Sequence, residues 1–169
     1  LEEFSSIFNA ERMKIFGSKI GIKYVKTEDE ILIESLFKLM EEGQADFTLT
    51  FRILSDSIEK NCHKKWKSLF SNIPDDSTSN WLNKWETRLQ QSSQDKNELI
   101  TNLKTTNPAI IPRNHLIEAC ISDALAGNLR SFNKFVKALE DPYTKRTEII
   151  KYSKPPAPWE IVRETFCGT

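Results

Sequence analysis

The chain has 169 residues, a length that suits one domain of ordinary size, and its 38% hydrophobic and 10% aromatic content is enough to bury a core. Its 24 basic and 24 acidic residues cancel, which excludes a long-range field drawing the whole chain to nucleic acid or an anionic membrane. No apolar run approaches the roughly 20 residues of a spanning helix, and no charged start followed by an apolar block marks a signal peptide, so the expectation is a protein that is neither membrane-bound nor secreted.

The first element begins at once, with Leu1, Phe4, Ile7 and Phe8 at helical spacing, and the absence of a starting methionine is what a piece of a larger protein would show. Glu28 to Glu42 carries Ile33, Leu36, Phe37 and Met40 on one face; Thr27 with Glu30 predicts a capping box, and Gly43 the end of the helix. Asp46 is placed to cap the next helix, along which Phe47, Phe51 and Leu54 form a stripe. A further stripe, Ile58, Cys62, Trp66 and Leu69, runs toward Pro74, where the chain should break.

The segment 75–80 reads as a polar loop or helix start, and Trp81, Leu82, Trp85 and Leu89 then predict an amphipathic helix. Ser92 to Asp95 interrupts, Leu99, Ile100 and Leu103 mark a shorter helix, and Pro108 and Pro112 bracket a turn. Leu116, Ile117, Cys120, Ile121, Ala124 and Leu125 describe a broad apolar face, with Gly127 as the C-cap and Asn128 at the next N-terminus. Leu129, Phe132, Val136 and Leu139 continue the pattern as far as Asp141-Pro142, and Pro155, Pro156 and Pro158 keep the remaining tail irregular. No segment alternates with period two. The expected fold is therefore all-α, an antiparallel multi-helix domain over 1–153 followed by a Pro-rich tail over 154–169.

Local features that suggest chemistry are better explained by packing. Asp46-Phe47-Thr48 is similar to the metal-binding Asp-Phe-Gly of kinases, but the glycine is missing and a helix follows directly, so Asp46 reads as a cap. Cys62 and His63 are adjacent and cannot both close one tetrahedral zinc site, while His115 and Cys120 diverge around a helix. Lysines 60, 64, 65 and 67 surround Trp66, but Trp66 belongs to an apolar stripe and the lysines to its solvated face, so no nucleic-acid partner is expected. There is no Gly-rich phosphate loop and no Ser/His/Asp ordering. The three cysteines, Cys62, Cys120 and Cys167, cannot all pair within the chain and lack the spacing of a secreted scaffold, which predicts a reducing compartment. Cys62 and Cys120 lie on apolar stripes, where buried thiols are expected.

The stretch Asn107-Pro108-Ala109-Ile110-Ile111-Pro112-Arg113-Asn114-His115-Leu116 resembles the Asn-Pro-x-x-x-x-Arg-Asn-x-Leu signature in the C-terminal part of the selenoprotein O family, protein adenylyltransferases with a pseudokinase fold. Other elements match in order. Arg12-Met13, Lys19-Ile20-Gly21 and Leu36 to Met40 resemble the family's Arg-Met, Lys-Leu-Gly and Leu-Phe-x-Leu-Met. Asp46-Phe47-Thr48 with Phe51-Arg52 resembles Asp-Tyr-Thr-x-x-Phe-Arg, Asp141-Pro142-Tyr143 resembles Asn-Pro-Phe/Tyr, and Pro155-Pro156 with Trp159 resembles Pro-Pro-x-Trp. Cys167, third from the end, stands where the family has a cysteine or selenocysteine.

The resemblance covers nearly the whole chain but only the back part of the family's protein. It implies a parent that binds ATP with Mg or Mn in an inverted kinase-like orientation and transfers AMP to Ser, Thr or Tyr hydroxyls of protein substrates. The catalytic residues would lie in an upstream kinase-like domain of the same polypeptide, which would be this segment's partner, and no catalytic, cofactor or metal residue is expected here. Asp46, Arg52, Asn107, Arg113, Asn114 and Trp159 would serve structural or interdomain roles, and Cys167 a redox-regulatory one. The parent would be cytoplasmic in a bacterium or mitochondrial in a eukaryote. The alternative from another class is a freestanding helical interaction module without transferase function. Surface around Trp81, Trp85 or Trp159 is expected to face the missing lobe.

Overall fold

The computed structural model describes residues 2–162. These form helices α1 (Glu2–Lys19), α2 (Asp29–Glu42), α3 (Phe47–Lys60), α4 (Lys64–Lys67), α5 (Asp75–Gln90), α6 (Lys96–Thr106), α7 (Asn114–Leu125), α8 (Arg130–Leu139) and α9 (Ile150–Ser153), with 3₁₀ turns at Ser68–Phe70, Thr147–Ile149 and Pro158–Glu160. No strand occurs among the described residues, so the class is all-α, as expected. The helices sort into two compact units that meet at the Asn107/Pro108 bond.

The first unit is organised around α3, whose residues Thr50 to Ser57 are all buried. Such all-round burial puts hydroxyls inside, and each is satisfied by bonding back to its own helix: Thr50 Oγ1 to Asp46 O, Ser55 Oγ to Arg52 O and Ser57 Oγ to Ile53 O, at 2.8, 2.8 and 3.0 Å. Asp46 caps this helix as expected, its Oδ1 accepting from the Leu49 N–H at 2.8 Å. The stripe from Ile58 to Leu69 is not one helix. Asn61 turns left-handed (φ 47°), a conformation Asn tolerates, and ends α3. Cys62 is thereby left exposed, contrary to its expected burial.

Trp66, Trp81 and Trp85 form the centre of the unit's core together with Phe51, Leu54 and Phe70. Trp66 stacks on Trp81 at 5.1 Å between ring centroids, and Trp81 on Trp85 at 5.8 Å. Each indole N–H donates to a backbone carbonyl on a neighbouring segment: Trp66 to Thr50, Trp81 to Leu32 and Trp85 to Ile20, at 3.0, 2.9 and 2.7 Å. A buried indole needs such a partner, and these three bolt α4 to α3 and α5 to α2 and to the turn after α1. Trp81 and Trp85 are therefore core residues, which corrects their assignment to an interdomain surface.

The capping box expected at Thr27 and Glu30 is also absent; Glu28 takes the N-cap position of α2 without a side-chain bond. The start of α2 is fixed instead by Asp29, whose carboxylate accepts from the Lys26 N–H at 2.7 Å and from the Arg88 fork at 2.6 and 3.0 Å. In the turn after α1, Gly21 has φ 82°, and a Cβ there would stand 2.4 Å from Leu99 Cδ1.

The second unit has a small core of Ile110, Cys120, Phe135, Ala138, Ile149 and Tyr152. Ala126 is the C-cap of α7 and Leu129 the N-cap of α8, so the expected caps Gly127 (φ 81°) and Asn128 each stand one residue off, inside the joint; the Asn128 side chain accepts from the Arg130 N–H at 3.1 Å. The broad apolar face predicted along α7 and α8 is only partly used. Ile121, Leu125, Leu129, Phe132 and Val136 stay exposed.

Candidate functional site

Three of the polar motif residues meet in the first unit. Arg52 projects from α3 toward the last turn of α6, where its Nη1 donates to Lys104 O at 2.8 Å and to Asn107 O at 2.7 Å. Carbonyls at a helix C-terminus lack intrahelical donors and carry partial negative charge, so a buried guanidinium satisfies both needs. Burial pulls the Arg52 pKa below the ordinary arginine value, and the carboxylates of Asp56 and Glu59 oppose that shift. Asn107, fully buried, donates from Nδ2 to Lys19 O at 2.8 Å and so ties α6 to the end of α1.

Lys19 completes the cluster, and sequence reasoning assigned it no role beyond its place in a motif. Its Nζ donates to Asn107 Oδ1 at 3.4 Å and lies 5.3 and 5.9 Å from the ring centroids of Phe51 and Phe47. Burial lowers its pKa. The arrangement of Arg52, Asn107 and Lys19 neutralises helix ends and locks three helices together, through the backbone bonds of Arg52 and Asn107 and the side-chain bond of Lys19 to Asn107.

In the second unit Arg113 sits at the N-cap position of α7, buried, with Nη2 donating to Ser153 O at 3.2 Å. Asn114 is the first residue of α7 and is exposed. The segment Ala109-Ile110 is pinned to the Asp141-Pro142 motif by N–H bonds to Pro142 O at 2.7 and 3.3 Å, joining two motifs remote in sequence. Trp159, in the last 3₁₀ turn, is 85% exposed. Cys167 lies outside the described residues. Cys120 is buried, and burial together with the Asp123 carboxylate raises its thiol pKa.

In the lysine-rich segment Trp66 is wholly buried, and Lys67 is engaged by Asp75 and Ser79 at 3.0 and 2.7 Å. His63, at the N-cap position of α4, pairs through Nε2 with Glu86 Oε1 at 2.6 Å. Among the described residues no group of three or more His, Cys, Asp or Glu side chains is placed to hold a metal ion. No described helix is long and apolar enough to cross a membrane. The signal that sequence reasoning missed most clearly is Asp29 with Arg88, since two residues 59 apart on different helices leave no local pattern.

Comparison with known proteins agrees with the motif reading. The model of the family described as protein adenylyltransferase SelO matches residues 1–140. The protein nucleotidyltransferase YdiU of Nitrobacter hamburgensis is 35% identical over 170 residues, covering 100% of this chain and 33% of that protein. Its namesake from Maridesulfovibrio salexigens is 37% identical over 170 residues (100% of this chain, 34% of that protein), and that of Bacillus thuringiensis 36% over 171 (100% and 33%). The chain thus spans about a third of the length of the curated relatives it matches. With a family model matching most of its length and motif residues that knit its helices together, the chain belongs to the protein adenylyltransferase SelO family.

Proposed function

We propose that this chain is the helical C-terminal part of a protein adenylyltransferase, serving as scaffold and regulatory element for a kinase-like domain elsewhere in the polypeptide. That domain would bind ATP and a divalent metal and transfer AMP to Ser, Thr or Tyr hydroxyls of proteins. The observation that carries the reading is how the motif residues are used. Asp46, Arg52 and Asn107 are committed to backbone atoms of their own unit, as a scaffold requires. Apolar surface for a covering partner is present on α1, where Phe4 and Phe8 stack at 6.2 Å while both remain more than half exposed.

The regulatory part rests on Cys167. Its thiol and a thiol of the kinase-like domain would form a disulfide, giving two electrons and two protons to a disulfide oxidant such as oxidised glutathione. The test is AMP transfer from labelled ATP by the remaining part of the longer protein, with and without this chain. The chain alone is expected to be silent, and the remainder to be impaired alone and restored by adding the chain. AMP transfer by the isolated chain, or full activity of the remainder without it, refutes the scaffold role. In the longer protein, Cys167→Ser should abolish the response to oxidant; an unchanged response refutes the redox role alone.

A further inference from the structure

The second unit contains a cavity of about 470 Å³ between α8 and the segment formed by the Thr147–Ile149 turn and α9. Its charged lining is Lys134, Lys137, Arg146 and Lys151 against a single carboxylate, Glu148. Lys134 and Lys137 are three residues apart on α8 and so share a face, while the neighbouring Phe135 and Ala138 turn into the core. Ala138, Ile149 and Tyr152 supply an apolar wall.

Two features bear on what this group of cations can bind. Several basic side chains of the first unit are held by acids: Arg12 by Glu34, Lys67 by Asp75, Arg88 by Asp29 and Lys104 by Glu59, all at 3.0 Å or less. Around the cavity none of Lys134, Lys137, Arg146 and Lys151 makes an ion pair among the described residues, and Lys151 rests its ammonium 4.7 Å from the Tyr152 ring centroid. The second feature is Arg146, whose Nη2 reaches the carbonyls of Ala138 and Asp141 only at 3.4 and 3.5 Å. Its Nε is buried without a hydrogen-bond partner, as are those of Arg52 and Arg113, but Arg52 holds carbonyls at 2.8 and 2.7 Å and Arg113 holds one at 3.2 Å, so Arg146 has the longest contacts of the three. A guanidinium fork with an orphaned donor at an apolar-walled, cation-lined cavity lacks an anion that can accept in pairs, and phosphate oxygens match that fork.

We infer that this cavity binds a small molecule carrying a phosphate or pyrophosphate group, held by Arg146 with Lys134, Lys137 and Lys151 around it. The volume falls within the range of about 300–1,000 Å³ typical of small-ligand pockets and exceeds what one phosphate fills. The remainder of the ligand lies against Ile149 and Tyr152. Glu148 opposes the anion and sets an upper limit on its affinity.

The experiment is a titration of the 169-residue chain with sodium pyrophosphate at low salt, followed by ¹H–¹⁵N correlation spectra in which the arginine Nε–H signals are resolved. Saturable shifts are expected at Arg146 Nε–H and at the amides of 146–152. The double variant Lys134→Gln, Lys137→Gln changes only exposed positions and should keep the fold; its affinity should drop by roughly tenfold, as loss of two charge-assisted contacts implies. Glu148→Gln should tighten binding severalfold. The site is overturned if millimolar pyrophosphate gives no saturable shift, if shifts centre on Lys60 to Lys67 instead, or if the double variant binds as the parent does.

Discussion

Replacing Arg88 by methionine isolates the interaction that fixes the start of α2. The Asp29 side chain is 2% exposed and that of Arg88 11%, so the pair is largely removed from water. Methionine keeps the aliphatic bulk and removes both bonds to the carboxylate along with the bond to Tyr24 O. Asp29 is then left with only the Lys26 N–H. Stranding one member of a buried pair typically costs about 3–5 kcal/mol. Asp29→Asn should cost less, about 1–3 kcal/mol, because Arg88 lies nearer to water and keeps its bond to Tyr24 O. In the double variant the two losses should fall short of their sum by about 1–3 kcal/mol. Urea unfolding followed by circular dichroism at the helical band measures all four proteins. A cost for Arg88→Met below about 1 kcal/mol, the level of an exposed salt bridge, or strict additivity of the two substitutions would refute the argument.

Trp85→Phe removes the bond to Ile20 O and shrinks a fully buried ring, and a loss of about 2–4 kcal/mol is expected in the same unfolding assay. Arg52→Lys should fail to rescue the destabilisation caused by Arg52→Gln, because a point ammonium does not reproduce the guanidinium contact with two carbonyls; equal stability of the Lys variant and the parent would contradict this. Lys19 has a folded pKa below its unfolded value, so in the interval between them the unfolded chain binds more protons and stability rises with pH. Lys19→Met should remove that alkaline rise relative to the parent in pH-dependent melting, and an identical profile would count against it. Thiol labelling of the folded chain should modify Cys62 quickly and Cys120 only on opening, and mass spectrometry of the labelled peptides reads the ratio.

Helix type was legible wherever an element depends on its own period. The Asp46 cap follows from local backbone chemistry and occurs where the sequence puts it, and the joint between α7 and α8 holds Gly127 and Asn128, though the caps themselves fall on Ala126 and Leu129. Errors arise where tertiary contacts overrule local signals. Thr27 and Glu30 satisfy a capping pattern, but Arg88, far along the chain, recruits Asp29 and fixes the helix start differently. Ile58 to Leu69 keeps helical spacing across a left-handed Asn61 because the pattern records which side chains are apolar and not whether the backbone is continuous. Trp81 and Trp85 could not be assigned to core or surface from spacing alone; a stack of indoles is a property of packing. The cavity of the second unit was likewise invisible, since its four cations come from α8, a loop and α9.

The tryptophan stack also gives the first unit an optical signature of its own. Trp66, Trp81 and Trp85 hold their indole planes within 17° and 18° of parallel, a fixed chiral arrangement that couples their electronic transitions. Their near-ultraviolet dichroism reports side-chain order in the first unit and should vanish when packing loosens, even if helix content persists. Trp159 in the second unit is 85% exposed and lacks a stacked neighbour among the described rings, so it should add little to that dichroism. Near-ultraviolet ellipticity in the tryptophan bands is thus expected to follow the packing of the first unit alone, with no extrinsic dye.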